Sequence, residues 1–192
     1  MSELNTSPLK VAVIVGSTRE GRFGGTVADW FVARASARAD LEIDVIDLAA
    51  TDLPAALSRR ADPNVASYAA RIDHADAYVV VTPEYNHGYP ASLKQAIDLA
   101  HDEWKAKPVG FVSYGGMAGG LRAVEQLRQV FAELHVVTMR DTVSFHQFFQ
   151  LFDEQGQPKD PAGCEAAATV MLDQLVWWGR ALRVARAELV PA

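Results

Sequence analysis

The stretch KVAVIVGSTREGRFGG at residues 10–25 decides the fold. Its first six residues form a compact, mostly β-branched run that is typical of a strand buried on both faces. Gly16 ends the run, and the glycines that follow allow a sharp turn and a close approach of the backbone to a ligand. Residues 27–35 then repeat apolar side chains at helical spacing. The stretch therefore predicts a strand, a loop and a helix, the first unit of a parallel sheet.

The rest of the chain repeats this alternation. Four further β-branched or apolar runs predict strands at Leu41–Leu48, Ala77–Thr82, Val109–Ser113 and Val136–Val143. Amphipathic helical patterns lie between them, and a last one follows residue 163. Right-handed crossovers turn such a pattern into a three-layer α/β/α fold with a five-stranded parallel sheet. We expect the flavodoxin-like strand order 2-1-3-4-5 in a single domain spanning residues 1–192.

Composition excludes several function classes. The chain has 192 residues and a formal net charge of −6, which argues against binding nucleic acid or an anionic membrane. A single cysteine, Cys164, allows no intrachain disulfide, and no array of Cys and His has the spacing of metal ligands. Residues 1–8 lack the apolar core of a secretory signal, and no apolar run approaches the roughly 20 residues needed to span a bilayer. We expect a cytoplasmic protein.

The loop after the first strand has the chemistry of a phosphate site. The start of the following helix directs unpaired N–H groups and the positive end of its dipole toward the loop. Ser17 and Thr26 offer hydroxyl groups, and Arg19 and Arg22 offer guanidinium forks that can neutralise a terminal phosphate. These groups favour a monophosphate over a pyrophosphate.

Two other folds with a binding site after the first strand fit these residues less well. The dinucleotide fingerprint requires a second glycine where this chain has Thr18, and the spacing from Gly16 to Asp47 exceeds the usual interval to a ribose-binding acid. We therefore expect Asp47 to be a solvated residue at the end of strand two. A response-regulator receiver requires carboxylates at the ends of strands one and three, where this chain has Gly16-Ser17 and Thr82-Pro83.

The loop after the third strand suits a flat polar ring. It reads TPEYNHGYPASLKQAID from Thr82 to Asp98, and two prolines stiffen it. Its polar residues are Glu84, Tyr85, Asn86 and His87. A flavin ring needs hydrogen-bond donors near N1 and O2, a partner for N3–H and a wall against one face. We expect no catalytic base here, because hydride transfer to a flavin requires none.

A third loop, SYGGMAGG at residues 113–120, follows strand four and brings glycine backbone to the same edge of the sheet. It either closes beside the ligand or is a plain turn. The HQFFQLF run at residues 146–152 is aromatic enough to suggest a subunit interface.

These residues resemble the NADPH-dependent FMN reductases of the flavodoxin-like superfamily. The resemblance lies in GSTREGRFGG, in the Thr82–Asp98 stretch and in the S-x-G-G element at residues 113–116. It implies that FMN binds to the following residues: Ser17, Arg19, Arg22, Phe23, Gly24, Gly25 and Thr26 in the first loop, Pro83, Glu84, Tyr85, Asn86 and His87 in the second, and Ser113, Gly115 and Gly116 in the third. The chain departs from many relatives at residues 22–25, where a Ser/Asn pair is common.

The resemblance also implies an activity. Hydride would pass from NADPH or NADH to FMN, and two electrons would then pass to a small-molecule acceptor such as a quinone, an azo compound, a free flavin or a metal oxyanion. It implies a homodimer or homotetramer as well. Arg59 and Arg60 could meet the 2′-phosphate of NADPH, or they could form a solvated face. Two alternatives stay open: an FMN electron carrier without a nicotinamide site, and a flavin-free binding protein on the same scaffold.

Overall fold

The computed structural model describes residues 7–57 and 62–188, and its sheet has the expected order β2-β1-β3-β4-β5 with all pairs parallel. The four long strands are β1 (Leu9–Val15), β2 (Leu41–Asp47), β3 (Ala77–Pro83) and β4 (Pro108–Gly115). The helices are α1 (Gly24–Ser36), α2 (Pro63–His74), α3 (Ala91–Asp98), α4 (Leu121–Glu133), α5 (Phe148–Leu151) and α6 (Pro161–Glu188). The predicted flavodoxin-like fold is confirmed.

The single fifth strand predicted at residues 136–143 is wrong. Two short strands take its place, β5 (Val137–Thr138) beside the start of β4 and β6 (Val143–His146) beside its end. Between them, residues 139–142 stand opposite only residues 110 and 111 of β4, so two extra residues bulge out of the ladder. The Arg128 guanidinium of α4 stabilises the bulge by donating to the carbonyl oxygens of Met139 and Arg140, at 2.6 and 3.1 Å.

The core has two layers because the central strands β1, β3 and β4 bury both of their faces. Val11, Val13 and Val15 of β1 face α1 and α6, whereas Ala12 and Ile14 face α2, α3 and α4. This alternation explains why the strands read as continuous apolar runs. It also places the loops after β1, β3 and β4 together at the carboxyl edge of the sheet.

The aromatic excess divides between core and surface. Trp104, Phe145 and Phe152 are buried, whereas Phe149 is 61% exposed and lies on the short helix α5. The region 146–152 is therefore only partly exposed, and its role as an interface remains a prediction. Among the helices that the structure describes, none combines the length and apolar character required to cross a bilayer.

A buried lysine lies at the amino end of the parallel strands, opposite the end that carries the three loops. Lys107 is 4% exposed, and its Nζ donates to the carbonyl oxygens of Ile72 and Asp73 at 3.0 and 2.8 Å. Burial lowers the pKa of Lys107 to about 8, with a smaller contribution from Arg186. The group therefore releases its proton more readily in the folded chain than in the unfolded chain.

Lys107 should make the protein more stable as the pH rises from 7.5 to 9.5. Between pH 8 and the unfolded pKa near 10.5 the unfolded chain binds more protons, so the free energy of unfolding increases with pH, by about 1 to 2 kcal/mol. Urea unfolding of the wild type and of Lys107→Met measures it, because the variant should lack this increase. Equal pH dependence in both proteins would contradict the assignment. The measurement stops near pH 9.5 because two buried tyrosines, Tyr68 and Tyr78, have pKa values raised by burial. Above about pH 10 the unfolded chain loses their protons first, so the free energy of unfolding falls with pH.

Candidate cofactor site

A cavity of about 330 Å³ lies at the carboxyl edge of the sheet, where the three loops meet. Its wall is formed by Arg19, Glu20, Gly21, Arg22, Phe23, Pro83, Glu84, Tyr85, Tyr114, Gly115, Gly116 and Phe148. Eight of these residues belong to the set expected to bind a cofactor: Arg19, Arg22, Phe23, Pro83, Glu84, Tyr85, Gly115 and Gly116. Loops that lie far apart in the sequence thus form one site, as the strand order requires.

Seven expected residues lie beside the cavity rather than in its wall: Ser17, Gly24, Gly25, Thr26, Asn86, His87 and Ser113. Ser17 is fully buried, and its hydroxyl shares a 2.7 Å hydrogen bond with the Tyr85 hydroxyl. That bond ties the first loop to the second. Ser113 is also fully buried and donates to the Gly119 carbonyl oxygen at 2.8 Å, which closes the third loop on itself.

The start of α1 presents backbone N–H groups that can donate to an anion. Phe23 occupies the N-cap position, and in the described parts of the chain no side chain caps the helix. The first backbone N–H groups of a helix have no partner within it, so they require an acceptor from elsewhere. Gly24 is needed there because a Cβ atom at this position would lie 2.8 Å from the Tyr114 hydroxyl oxygen. An anionic group that reaches this helix end would satisfy its N–H groups.

The two arginines of the first loop differ in what they contact. Arg22 donates to both carboxylate oxygens of Asp47, at 2.6 and 2.5 Å, and to the Ser17 carbonyl oxygen at 2.7 Å. Asp47 is therefore an ion-pair partner rather than a merely solvated strand end, and the hydrogen bonds from Arg22 lower its pKa. Arg19 is exposed, and its side chain makes no hydrogen bond or ion pair to any residue within 7–57 or 62–188. Arg19 is the guanidinium that is available to a ligand.

The second loop is a tight turn rather than an open excursion. The N–H of Tyr85 donates to the Gly88 carbonyl oxygen at 2.8 Å, and the N–H of Gly88 donates back to Tyr85 at 3.0 Å. The two residues between them, Asn86 and His87, have positive φ angles of 50° and 70°. This is the backbone of a type I′ turn, which asparagine tolerates well and histidine less well. Neither Asn86 nor His87 lines the cavity.

Side chains of α4 hold this turn in place. Arg122 donates from its Nε to a carboxylate oxygen of Glu84 at 2.5 Å, and its backbone N–H donates to the other oxygen at 3.2 Å. The Glu84 side chain is only 6% exposed. Gln126 donates to the His87 carbonyl oxygen at 2.9 Å, and Arg122 Nη1 lies 2.8 Å from His87 Nε2. Glu84 thus positions the loop as well as lining the cavity.

Aromatic side chains close one side of the cavity. Phe23, Tyr114 and Phe148 meet edge to face or tilted, with ring centroids 5.0 to 6.5 Å apart. The Tyr114 hydroxyl is buried and has no hydrogen-bond partner among the described residues, and burial raises its pKa. Sequence reasoning missed Tyr114, although its place inside the S-x-G-G element after β4 was a usable signal.

A neighbouring cavity of about 350 Å³ lies between Thr18 and the start of α3. Two of its polar side chains are hydrogen-bonded within the protein, since Ser92 donates to the Gly16 carbonyl oxygen and Gln95 to that of Pro54. Arg59 and Arg60, considered for a 2′-phosphate, lie outside the described residues.

The residues of the first cavity fit FMN. An uncapped helix start, an available guanidinium and a buried hydroxyl without a partner match a terminal phosphate. Beside them, the stiff second loop and the open backbone at Gly116, where a Cβ atom would meet nothing within 4 Å, leave room for a flat ring. Sheet order and cavity together define a flavodoxin-like flavin-binding protein.

Comparison with known proteins identifies the family. The family model for NADPH-dependent FMN reductase matches residues 9–150. The chain is 31% identical over 176 residues to an NADPH:quinone oxidoreductase of Arabidopsis thaliana, covering 85% of this chain and 89% of that protein. The chain belongs to the NADPH-dependent FMN reductase family and is, by class, an FMN-dependent oxidoreductase.

Two further similarities agree with this result. An NAD(P)H-dependent FMN reductase of Schizosaccharomyces pombe is 36% identical in an alignment of 132 residues that covers 63% of this chain and 64% of that protein. The match thus spans less than two thirds of that relative. The solved structure of FerB, a flavoenzyme NAD(P)H:(acceptor) oxidoreductase from Paracoccus denitrificans, superimposes with a TM-score of 0.72 and 26% identity, covering 89% of this chain and 97% of that chain.

Proposed function

We propose that this protein is an NAD(P)H:quinone oxidoreductase that uses FMN in the cavity at the carboxyl edge of the sheet. Bound FMN would accept a hydride from NADPH or NADH and deliver two electrons to the quinone in a ping-pong sequence. The observation that carries the proposal is the meeting of the uncapped α1 start, Arg19 and the second loop around one cavity. The chain itself binds, orients and stabilises charge.

The phosphate end of the cofactor is assigned to the first loop. Arg19 would supply the charge-assisted hydrogen bonds, and the N–H groups at Gly24, Gly25 and Thr26 would supply the helix-end donors. Arg22 would mainly stabilise the conformation of the first loop, because its guanidinium already donates to Asp47 and to the Ser17 carbonyl oxygen.

The ring end is assigned to the second and third loops. Pro83, Glu84 and Tyr85 would form one wall, and Gly115 and Gly116 would let backbone approach the other side. Asn86 and His87 lie at the tip of the turn, outside the cavity wall, where they would meet the cofactor edge or a second subunit. We assign no side chain the role of a catalytic base, because hydride transfer to a flavin requires none.

A quinone is the acceptor that the similarity to known proteins supports best. A relative that this chain matches over 89% of the relative's length is named an NADPH:quinone oxidoreductase. Azo compounds, free flavins and metal oxyanions are the other candidate acceptors. We also propose a homo-oligomer in the cytoplasm.

The test combines spectra and turnover on the purified chain. We expect protein-bound flavin absorption bands after addition of FMN and bleaching of those bands by NADPH or NADH without air. With a soluble quinone, double-reciprocal plots of the steady-state rate should give parallel lines. Flavin bands that both nicotinamides leave unchanged would identify an electron carrier. Failure to bind FMN would identify a flavin-free protein. Turnover with an azo dye but not with quinones would overturn the acceptor assignment alone.

Replacing Tyr114 with phenylalanine should weaken FMN binding while leaving the apoprotein at least as stable. A buried hydroxyl without a partner destabilises the apoprotein, so its removal is neutral or stabilising. If that hydroxyl donates to the cofactor, its loss removes a hydrogen bond to a charged group, worth about 1.5 to 3 kcal/mol or roughly 10- to 150-fold in affinity. Flavin fluorescence titration and urea unfolding measure the two quantities. Unchanged affinity would assign the hydroxyl to packing only.

A further inference from the structure

The outer face of α6 carries a regular stripe of apolar and charged side chains that the proposed reaction does not use. The 28-residue helix packs its inner face, including Met171, Leu172 and Leu175, against the sheet. Its outer face presents Val170, Asp173, Trp177, Arg180 and Val184, which recur every three or four residues. Trp177 is 65% exposed, Val170 49% and the adjacent Trp178 37%.

Two neighbouring tryptophans make this face unusual for a surface exposed to water. Their rings meet edge to face with centroids 4.9 Å apart, and Trp177 borders a shallow groove of about 560 Å³ that runs along the helix. Tryptophan is the side chain that contributes most to binding when it is buried in an interface. An exposed apolar stripe with charged neighbours is the pattern of a helix that packs against another helix.

The stripe has valines at symmetric positions about Trp177 and opposite charges on its two sides. Val170 and Val184 each lie seven residues from Trp177, and Asp173 and Arg180 lie four before it and three after it. When two copies pair about a two-fold axis, each residue on one side of the axis meets its mirror position in the partner. An antiparallel pair centred near Trp177 therefore places valine beside valine and Asp173 beside Arg180 in both halves.

We propose that the outer face of α6 is a self-association surface, on which the occupant is α6 of a second copy of this chain in antiparallel orientation. Charge selects this orientation, because a parallel pair would place Asp173 against Asp173 and Arg180 against Arg180. The rim adds further alternating charges, since Arg38 donates to Asp173 at 2.6 Å and Arg180 lies 3.9 Å from Asp40. This mixture of signs is unsuited to an anionic bilayer.

The dimensions allow a stable pair. A 28-residue helix is about 42 Å long, long enough to carry several contact layers against a partner helix. A standard interface buries roughly 800 Å² on each partner, so the α6 stripe would form its centre and the Arg38–Asp40 turn part of its rim. None of the stripe residues contributes to the cofactor cavity wall. The surface is also separate from residues 146–152, and two such two-fold interfaces would generate a tetramer.

Sedimentation of the full chain tests the proposal. We expect the wild type to be a dimer or a tetramer at about 10 to 100 µM protein, and Trp177→Glu to have half the wild-type mass. Val45→Glu is the control, because it places the same charge on an exposed apolar side chain of β2, outside both α6 and residues 146–152. A monomeric wild type, or a Trp177→Glu protein with the wild-type mass, would overturn the proposal. FMN titration of each variant verifies that the fold is intact.

Cysteine cross-linking tests the orientation. In a Cys164→Ser background, Trp177→Cys should form an intermolecular disulfide on mild oxidation, because facing positions near the axis bring Cα atoms within the roughly 4.4 to 6.8 Å that a disulfide requires. Val170→Cys should not cross-link with itself, since its two copies would lie at opposite ends of the pair. A mixture of Val170→Cys and Val184→Cys proteins should cross-link. Cross-linking of Val170→Cys alone would establish a parallel pair and contradict the proposal.

Discussion

Replacing Arg19 with alanine should weaken FMN binding by about 1.5 to 3 kcal/mol, or roughly 10- to 150-fold in the dissociation constant. Arg19 lines the cavity, and in the described part of the chain its side chain is not committed to an acidic partner. Its charge is therefore available to a phosphate. Titration of the apoprotein with FMN, followed by quenching of flavin fluorescence, gives the affinity.

Two further variants sharpen this prediction. Arg22→Ala should reduce affinity less than Arg19→Ala, because Asp47 already neutralises Arg22 and the loss acts through the shape of the loop. Arg140→Ala controls for the net charge, since Arg140 is 89% exposed and outside the cavity. A larger effect at Arg22 than at Arg19 would reverse the assignment of the phosphate ligand. Equal small effects at all three positions would indicate that the FMN phosphate binds in another part of the cavity.

Replacing Glu84 with alanine should lower the free energy of unfolding of the apoprotein by about 1.5 to 3 kcal/mol. The substitution removes both acceptors of Arg122 from a nearly buried position, and it releases a turn in which Asn86 and His87 hold positive φ angles. FMN affinity should fall as well, because the loop that forms one wall of the cavity is no longer fixed. Urea unfolding and FMN titration measure the two effects.

Glu125→Ala is the matched control for this variant. Glu125 lies about one turn after Arg122 on α4. It pairs with Arg128 at 3.0 Å, but its side chain is 72% exposed. Exposed pairs of this kind contribute about 0 to 1 kcal/mol. If Glu84→Ala destabilises the protein no more than Glu125→Ala does, the Glu84 contact is an ordinary surface ion pair and the loop is held by its turn alone.

The sequence predicted the parts of the fold that depend on local pattern. Runs rich in apolar and β-branched residues located β1 to β4. Asp62 followed by Pro63 also marks a helix start, and its carboxylate accepts from the backbone N–H groups of Asn64 and Val65. These two features are decided by neighbours within a few residues, and the general rules for parallel sheets then bring the three loops together.

Contacts between distant residues were beyond sequence reasoning. The partner of Arg22 is 25 residues away, that of Glu84 is 38 residues away, and neither spacing follows from any helical or strand period. The division of the fifth strand was missed for a similar reason, because the bulge depends on donors from Arg128 of α4 to carbonyl oxygens of residues 139 and 140. Residues 136–143 are apolar enough to read as one strand until that guanidinium is considered.

The divided strand has a consequence for the solubility of the protein. β5 and β6 form one edge of the sheet, and an edge strand exposes backbone groups that can pair with another molecule and begin aggregation. Here the edge consists of pieces of two and four residues, separated by a bulge that displays Arg140 and Asp141. Short, interrupted and charged edges resist such pairing. The bulge that the sequence pattern did not predict therefore reduces strand pairing between the sheet edges of two molecules.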